Sequence, residues 1–191
     1  MNAKEVLAAV RAKHNKCAIV TELVVEDAEL RAARRAQWAR DRPQWADYYE
    51  GTEEFSEEKH GAVLDSHKPF RRIDALMFDG GGTRTAIEVK VTRADFKRET
   101  EAKRRPWELI TNRFVYATPA GLIQPGEVPA HCGLWWVDTS KEVSLGWNGS
   151  DYARGPEVKV VKRAKTNKSP DPIPHQVVVA MAYRLGRVKN Q

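Results

Sequence analysis

Asp74, Glu88 and Lys90 stand in the stretch "IDALMFDGGGTRTAIEVKV", residues 73 to 91, which otherwise reads as two apolar strands joined by a glycine turn. Two carboxylates and an amine are the residue types that metal-assisted hydrolysis of a phosphodiester needs. Hard cations such as Mg²⁺ take oxygen ligands and bind through one or two carboxylates plus water and substrate phosphate. The backbone carbonyl of Val89, between Glu88 and Lys90, commonly completes such a shell. A bound ion lowers the pKa of water and neutralises charge growing on phosphorus. Lys90, on the same face as Glu88, is placed to hold the attacking water or to stabilise the developing charge.

That geometry depends on the strands. Side chains alternate along a strand, so Ile87, Val89 and Val91 point one way and Glu88, Lys90 and Thr92 the other. Asp74, Leu76 and Phe78 share one face of the partner strand. Asp79-Gly80-Gly81-Gly82 is a strong turn signal, because glycine reaches positive φ at little cost. A hairpin closing over residues 79–83 brings Asp74 beside Glu88. Cross-strand charge pairs on a wet sheet face would account for an E-x-K alone. The combination is more specific: an aspartate entering one strand, a turn, E-x-K on the next, and "TRADF" opening a helix directly afterwards.

Elsewhere the pattern supplies a scaffold. Residues 3–13 place Val6, Leu7 and Val10 on one helical face. "CAIVTELVV" (17–25) reads as a strand, and 26–42 as a charged helix limited by Pro43. Residues 26–69 are read as a surface insertion, in which Trp45, Tyr48, Tyr49 and Phe55 pack it onto the body or stack with bases. A helix over 93–110 with a kink near Pro106 is followed by strands at 113–119 and 134–137, and by a further one at 157–161. A basic loop and a C-terminal helix occupy about 159–191. This order gives a single α/β domain with a central mixed β-sheet flanked by helices.

Composition agrees. The chain has 191 residues, 41% hydrophobic and 30% charged, which suits one globular domain rather than a disordered chain. No apolar run is long enough to span a bilayer and no signal-peptide core opens the chain, so a cytoplasmic, bacterial or phage-encoded protein is expected. The net charge of +6 favours polyanionic partners. Cys17 and Cys132 form no CxxC pair and read as free, buried thiols. His131 beside Cys132 could in principle ligand a metal, but a turn leading into "GLWWV" accounts for the pair. No G-x-S-x-G, HExxH or phosphate-loop motif occurs, and "GGGT" lacks the lysine such a loop needs.

"RRIDAL…AIEVKVTRADF" resembles the PD-(D/E)xK nuclease superfamily, with Asp74 as the aspartate, Glu88-Val89-Lys90 as the (D/E)xK, and Ile73 in place of the proline. Within it the chain is similar to the MmcB-like group, assigned to DNA repair, from "TELVV" through "NRFVYATPAGLIQPGEVPAHCGLWWVD", leaving out residues 26–69. The resemblance implies a restriction-endonuclease-like αβββαβ core, Mg²⁺ or Mn²⁺ as cofactor, and cleavage of DNA in repair, recombination or phage DNA processing. It implies a further acidic residue, Glu22, or Glu5 where the superfamily places it on the first helix. Lys103 is carried over as an extra site lysine. Around such a site Arg72, Arg93 and Lys97 contact DNA phosphates, as Arg71, Arg104 and Arg105 would; otherwise they solvate an exposed face. The expected partner is DNA, with no membrane, and a homodimer is left open. Two other readings are a non-catalytic DNA-binding scaffold with the same fold, and a nuclease acting on RNA or branched DNA.

Overall fold

The computed structural model describes residues 1–41, 70–147 and 152–188. The aromatic cluster Trp45, Tyr48, Tyr49 and Phe55 lies outside the described residues. The chain divides into two compact units, one of residues 1–24 and 72–191 and the other of residues 25–71. In the second unit Arg71 Nε donates to Asp27 Oδ2 at 2.9 Å, and the Asp27 Oδ1 accepts from Leu30 N at 3.0 Å, capping the helix that follows.

Six strands form one mixed sheet in sequential order. They are β1 (Ala18–Glu26), β2 (Phe70–Phe78), β3 (Arg84–Val89), β4 (Arg113–Pro119), β5 (Gly133–Trp147) and β6 (Tyr152–Lys162). The helices are α1 (Ala3–Lys13), α2 (Ala28–Asp41), α3 (Arg93–Lys97), α4 (Glu101–Ile110) and α5 (His175–Val188). β2 and β3 are antiparallel, β3–β4 and β4–β5 parallel, and β5–β6 antiparallel. The expected α/β class with a central mixed sheet and flanking helices is the one found. Among the described residues no helix is long and apolar enough to cross a membrane.

The β2–β3 turn follows from its residues. Asp79 Oδ1 accepts from the backbone of Gly81 and Thr83, both at 2.9 Å, and Gly82 takes φ +78°. The register Ala75↔Ile87 and Leu76↔Ala86 then fixes which side chains share a face. On one face Ala75, Met77, Ile87, Val89, Val115, Ala117, Trp135, Val137 and Val158 pack beneath Val6, Ala9 and Val10 of α1. The other face carries Leu76, Ala86, Phe114, Tyr116 and Leu134, all buried, and continuing the same alternation places Asp74 and Glu88 there.

Three boundaries differ from the sequence reading. The helix at 93–110 breaks at residues 98–100 and not at Pro106, which sits inside α4. Pro106 is the sixth residue of that helix, past its first turn, so the helix forgoes one i→i−4 bond to the Ala102 carbonyl and continues to Ile110. β5 runs from 133 to 147 and β6 from 152 to 162, well past 134–137 and 157–161. These two form an antiparallel ribbon with register shifts at Asp138/Glu142 and Ser144/Gly146. Such bulges break the period of two, and with it the sequence signal.

Candidate active site

Asp74 and Glu88 are brought together by the hairpin register, one step beyond Ala75↔Ile87. Asp74 Oδ2 accepts from Val89 N at 2.7 Å, which pins the carboxylate against the E-x-K strand. Glu88 Oε1 accepts from Lys90 Nζ at 2.8 Å. The ammonium is also 2.9 Å from Glu99 Oε2 and 3.7 Å from Asp95 Oδ2. Lys90 and Glu99 side chains are each only 7% exposed, so this is an internal ion cluster and not a solvated face.

Its electrostatics follow from burial. Desolvation, reinforced by the charge of Asp74, pushes the Glu88 carboxyl up to about 7, against the opposing pull of Lys90. Asp74 is also raised by burial, with the Val89 N–H working the other way. Burial disfavours the Lys90 ammonium, but Glu88 and Glu99 outweigh it and hold its pKa above the ordinary lysine value. Three carboxylates thus lie within 4 Å of one ammonium, with Asp74 beside them and Arg98 Nη2 3.5 Å from the outermost, Asp95. Among the described residues Asp74 Oδ1 and Glu88 Oε2 accept no hydrogen bond. Excess negative charge with one uncommitted oxygen on each of two adjacent carboxylates is a donor set that a hard divalent cation fits.

Glu99 and Asp95 were not singled out in the sequence. Their i, i+4 spacing within "RADFKRET" is the available signal, masked by the three cations Arg93, Lys97 and Arg98 of the same stretch. Thr92 caps α3 through its Oγ1, 3.1 Å from Asp95 N, and the break after Lys97 turns Glu99 back onto Lys90. Tyr116, opposite Glu88 in the β3–β4 register, is a third such residue. Its buried Oη has no hydrogen-bond partner among the described residues. Burial and then the charge of Glu99 raise its pKa, and nearby Arg104 opposes the rise without meeting hydrogen-bond geometry.

The remaining candidates are distributed differently. Glu22 lies in β1 at φ +55°, between the buried Val20 and Leu23, where the alternation of buried and exposed residues slips by one. Its carboxylate is exposed and 3.7 Å from Arg184 Nη1 of α5, while Arg184 Nη2 donates to the Glu22 carbonyl at 2.7 Å. Among the described residues no hydrogen bond or ion pair joins Glu22 to Asp74, Glu88 or Lys90. Glu5 closes the capping box of α1 with Asn2, on the helix that covers the opposite face.

Arg72 is exposed and near enough to Asp74 to lower its pKa in part. Arg93 is half exposed and donates to the Leu122 carbonyl at 2.8 Å and to Glu127, tying α3 to the β4–β5 loop. Lys97 is exposed. Lys103 is exposed and donates to the Arg98 carbonyl at 2.9 Å. Arg104 is buried, bonded through Nε to Glu108 at 3.2 Å, and does not belong to an exposed basic face. Its place on the inner side of α4 with Trp107 and Ile110 explains this, since 104, 107 and 110 recur at helical spacing.

Neither protein-family models nor curated proteins match this chain. Among solved structures it is similar to a protein of unknown function, SPO1766, from Silicibacter pomeroyi. The identity is 21% and the TM-score 0.41, over 62% of this chain and 68% of the other. A likeness that loose carries no functional argument.

Proposed function

We propose that this protein is a metal-dependent nuclease that hydrolyses DNA phosphodiester bonds at the cluster of Asp74, Glu88 and Lys90. One observation supports the reading above the rest: two half-buried, mutually repelling carboxylates each keep, among the described residues, an oxygen that accepts no hydrogen bond, with an ammonium 2.8 Å from one of them. A salt-bridged sheet face would not leave that surplus of negative charge in a half-buried place.

Asp74, Glu88 and the Val89 carbonyl would hold Mg²⁺ or Mn²⁺, which supplies charge neutralisation at the scissile phosphate and lowers the pKa of water there. The protein's own residues do the rest. Val89 N–H fixes the orientation of Asp74. Glu88 and Glu99 keep Lys90 charged and aimed along the cluster, so that it donates to phosphate oxygen or to the attacking water as charge builds. Arg72 and Lys97, exposed nearby in the chain, are offered as phosphate contacts that position DNA without reading its sequence.

A second reading, a DNA-binding scaffold that retains the fold, is favoured by the engagement of the Lys90 ammonium with Glu88 and Glu99, which would also suit a purely structural ion pair. Incubation of plasmid and single-stranded DNA with Mg²⁺ or Mn²⁺ separates the two, with Asp74→Ala and Lys90→Ala beside wild type. Cleavage by wild type alone supports the nuclease. Salt-sensitive binding by all three proteins without cleavage supports the scaffold.

A further inference from the structure

We propose that Glu108, His131 and Cys132 form a binding site for a divalent transition ion of the zinc class, separate from the Asp74–Glu88 cluster and independent of the nuclease reading. Glu108 stands in the last turn of α4, and His131 and Cys132 lie immediately before β5. Glu108 Oε1 is 2.9 Å from His131 Nε2 and 3.5 Å from Cys132 Sγ, and all three donor atoms lie within 4.8 Å of one another. Ligands on a tetrahedral zinc, with bonds of about 2.0 to 2.3 Å, stand roughly 3.3 to 3.8 Å apart. The two closer pairs need to shift by only a few tenths of an ångström, and the widest, up to 4.8 Å apart, closes by about 1 Å when the three share one ion.

The donor chemistry selects the ion. Carboxylate oxygen, imidazole nitrogen and thiolate sulfur together suit Zn²⁺ or Co²⁺, whereas Mg²⁺ and Ca²⁺ avoid nitrogen and sulfur. The frame is already fixed. Lys162 Nζ donates to the carbonyls of Val128 and Pro129 at 2.7 and 2.9 Å, and Lys165 N donates to the His131 carbonyl at 2.9 Å. Arg104 Nε hydrogen-bonds the Glu108 carboxylate, the outer partner that ligating carboxylates ordinarily have. Its positive charge offsets one of the two negative charges that Glu108 and a Cys132 thiolate bring, and a dication still meets a net anionic site. His131 is 48% exposed and gives the ion a route from solvent, while Cys132 is buried. Three protein ligands leave a fourth position for water. On binding, the thiol proton leaves to solvent.

Cobalt titration followed by absorption tests the site, because only a thiolate ligand gives a sulfur-to-cobalt charge-transfer band and the Asp74–Glu88 oxygens cannot. Wild type is expected to develop the band to a plateau of one Co²⁺ per chain, with Zn²⁺ abolishing it. Cys132→Ser loses it and Cys17→Ser keeps it. His131→Ala, an exposed change that leaves the fold intact by circular dichroism, weakens Co²⁺ binding about tenfold or more. His131→Ala decides the matter if Cys132→Ser does not fold. Absence of the band in wild type, or equal affinity in His131→Ala, overturns the proposal.

Discussion

Two clusters neighbour Arg104 and Tyr116, and they differ in both donors and frame. Around Asp74 and Glu88 every anionic donor is oxygen, the positions come from a strand hairpin, and a lysine is built in. Around Glu108 oxygen, nitrogen and sulfur meet between a helix end and a turn, with a guanidinium as neighbour. The first resembles a place where charge has to be met transiently by a substrate and its counterion. The second suits an ion that stays. α4 joins them through Glu99 just before its first turn and Glu108 in its last.

The largest effect expected is loss of that shared helix. Trp107 is 1% exposed, and Trp107→Ala should cost about 3–5 kcal/mol in urea unfolding and disturb both clusters together. Little change in stability would mean that α4 does not couple them.

Next comes a pH dependence expected of the first cluster. The folded Glu88 carboxyl titrates near 7 against 4.5 for the ordinary group, so between these values the folded state holds the extra proton. Its contribution is present below about 4.5 and lost as pH rises through about 7. Metal-free protein should therefore lose stability across that window. Glu88→Gln should flatten the dependence and stabilise at pH 8 by on the order of 1–3 kcal/mol. Equal slopes for both proteins would remove the buried-carboxyl account.

A smaller effect sharpens the division of roles. Glu99→Gln weakens the grip on Lys90 and is expected to lower Mg²⁺-dependent cleavage about tenfold, as loss of an outer partner does. Glu108→Gln should leave cleavage within about twofold. The reverse ranking would place the reacting centre at the other cluster. Smallest of all, Lys97→Ala should reduce the slope of DNA affinity against salt by about one, while Lys103→Ala, held to the Arg98 carbonyl, should leave it unchanged.

Much of the first cluster was legible in the chain because strand alternation is local and its period is two: Ile87, Val89, Glu88 and Lys90 declare their faces without knowledge of the fold. The glycine turn made the Asp74 partnership legible as well. Glu99 was not, because a three-residue break between α3 and α4 turns it inward, and nothing in "KRETEAKRR" marks that break. Arg104 looked like one more surface cation for the same reason. Glu108 joins His131 and Cys132 across 23 residues of chain, a distance at which spacing carries no ligand signature.

Single-turnover cleavage of DNA by wild type and Lys90→Ala, measured beside their DNA affinities in Mg²⁺, tests the central claim most directly. Lys90→Ala is expected to bind within about threefold of wild type and to cleave more slowly by roughly 10²–10³, the scale on which one donor to a developing oxyanion acts. Equal cleavage rates, or no cleavage by wild type under conditions where it binds DNA, would contradict it.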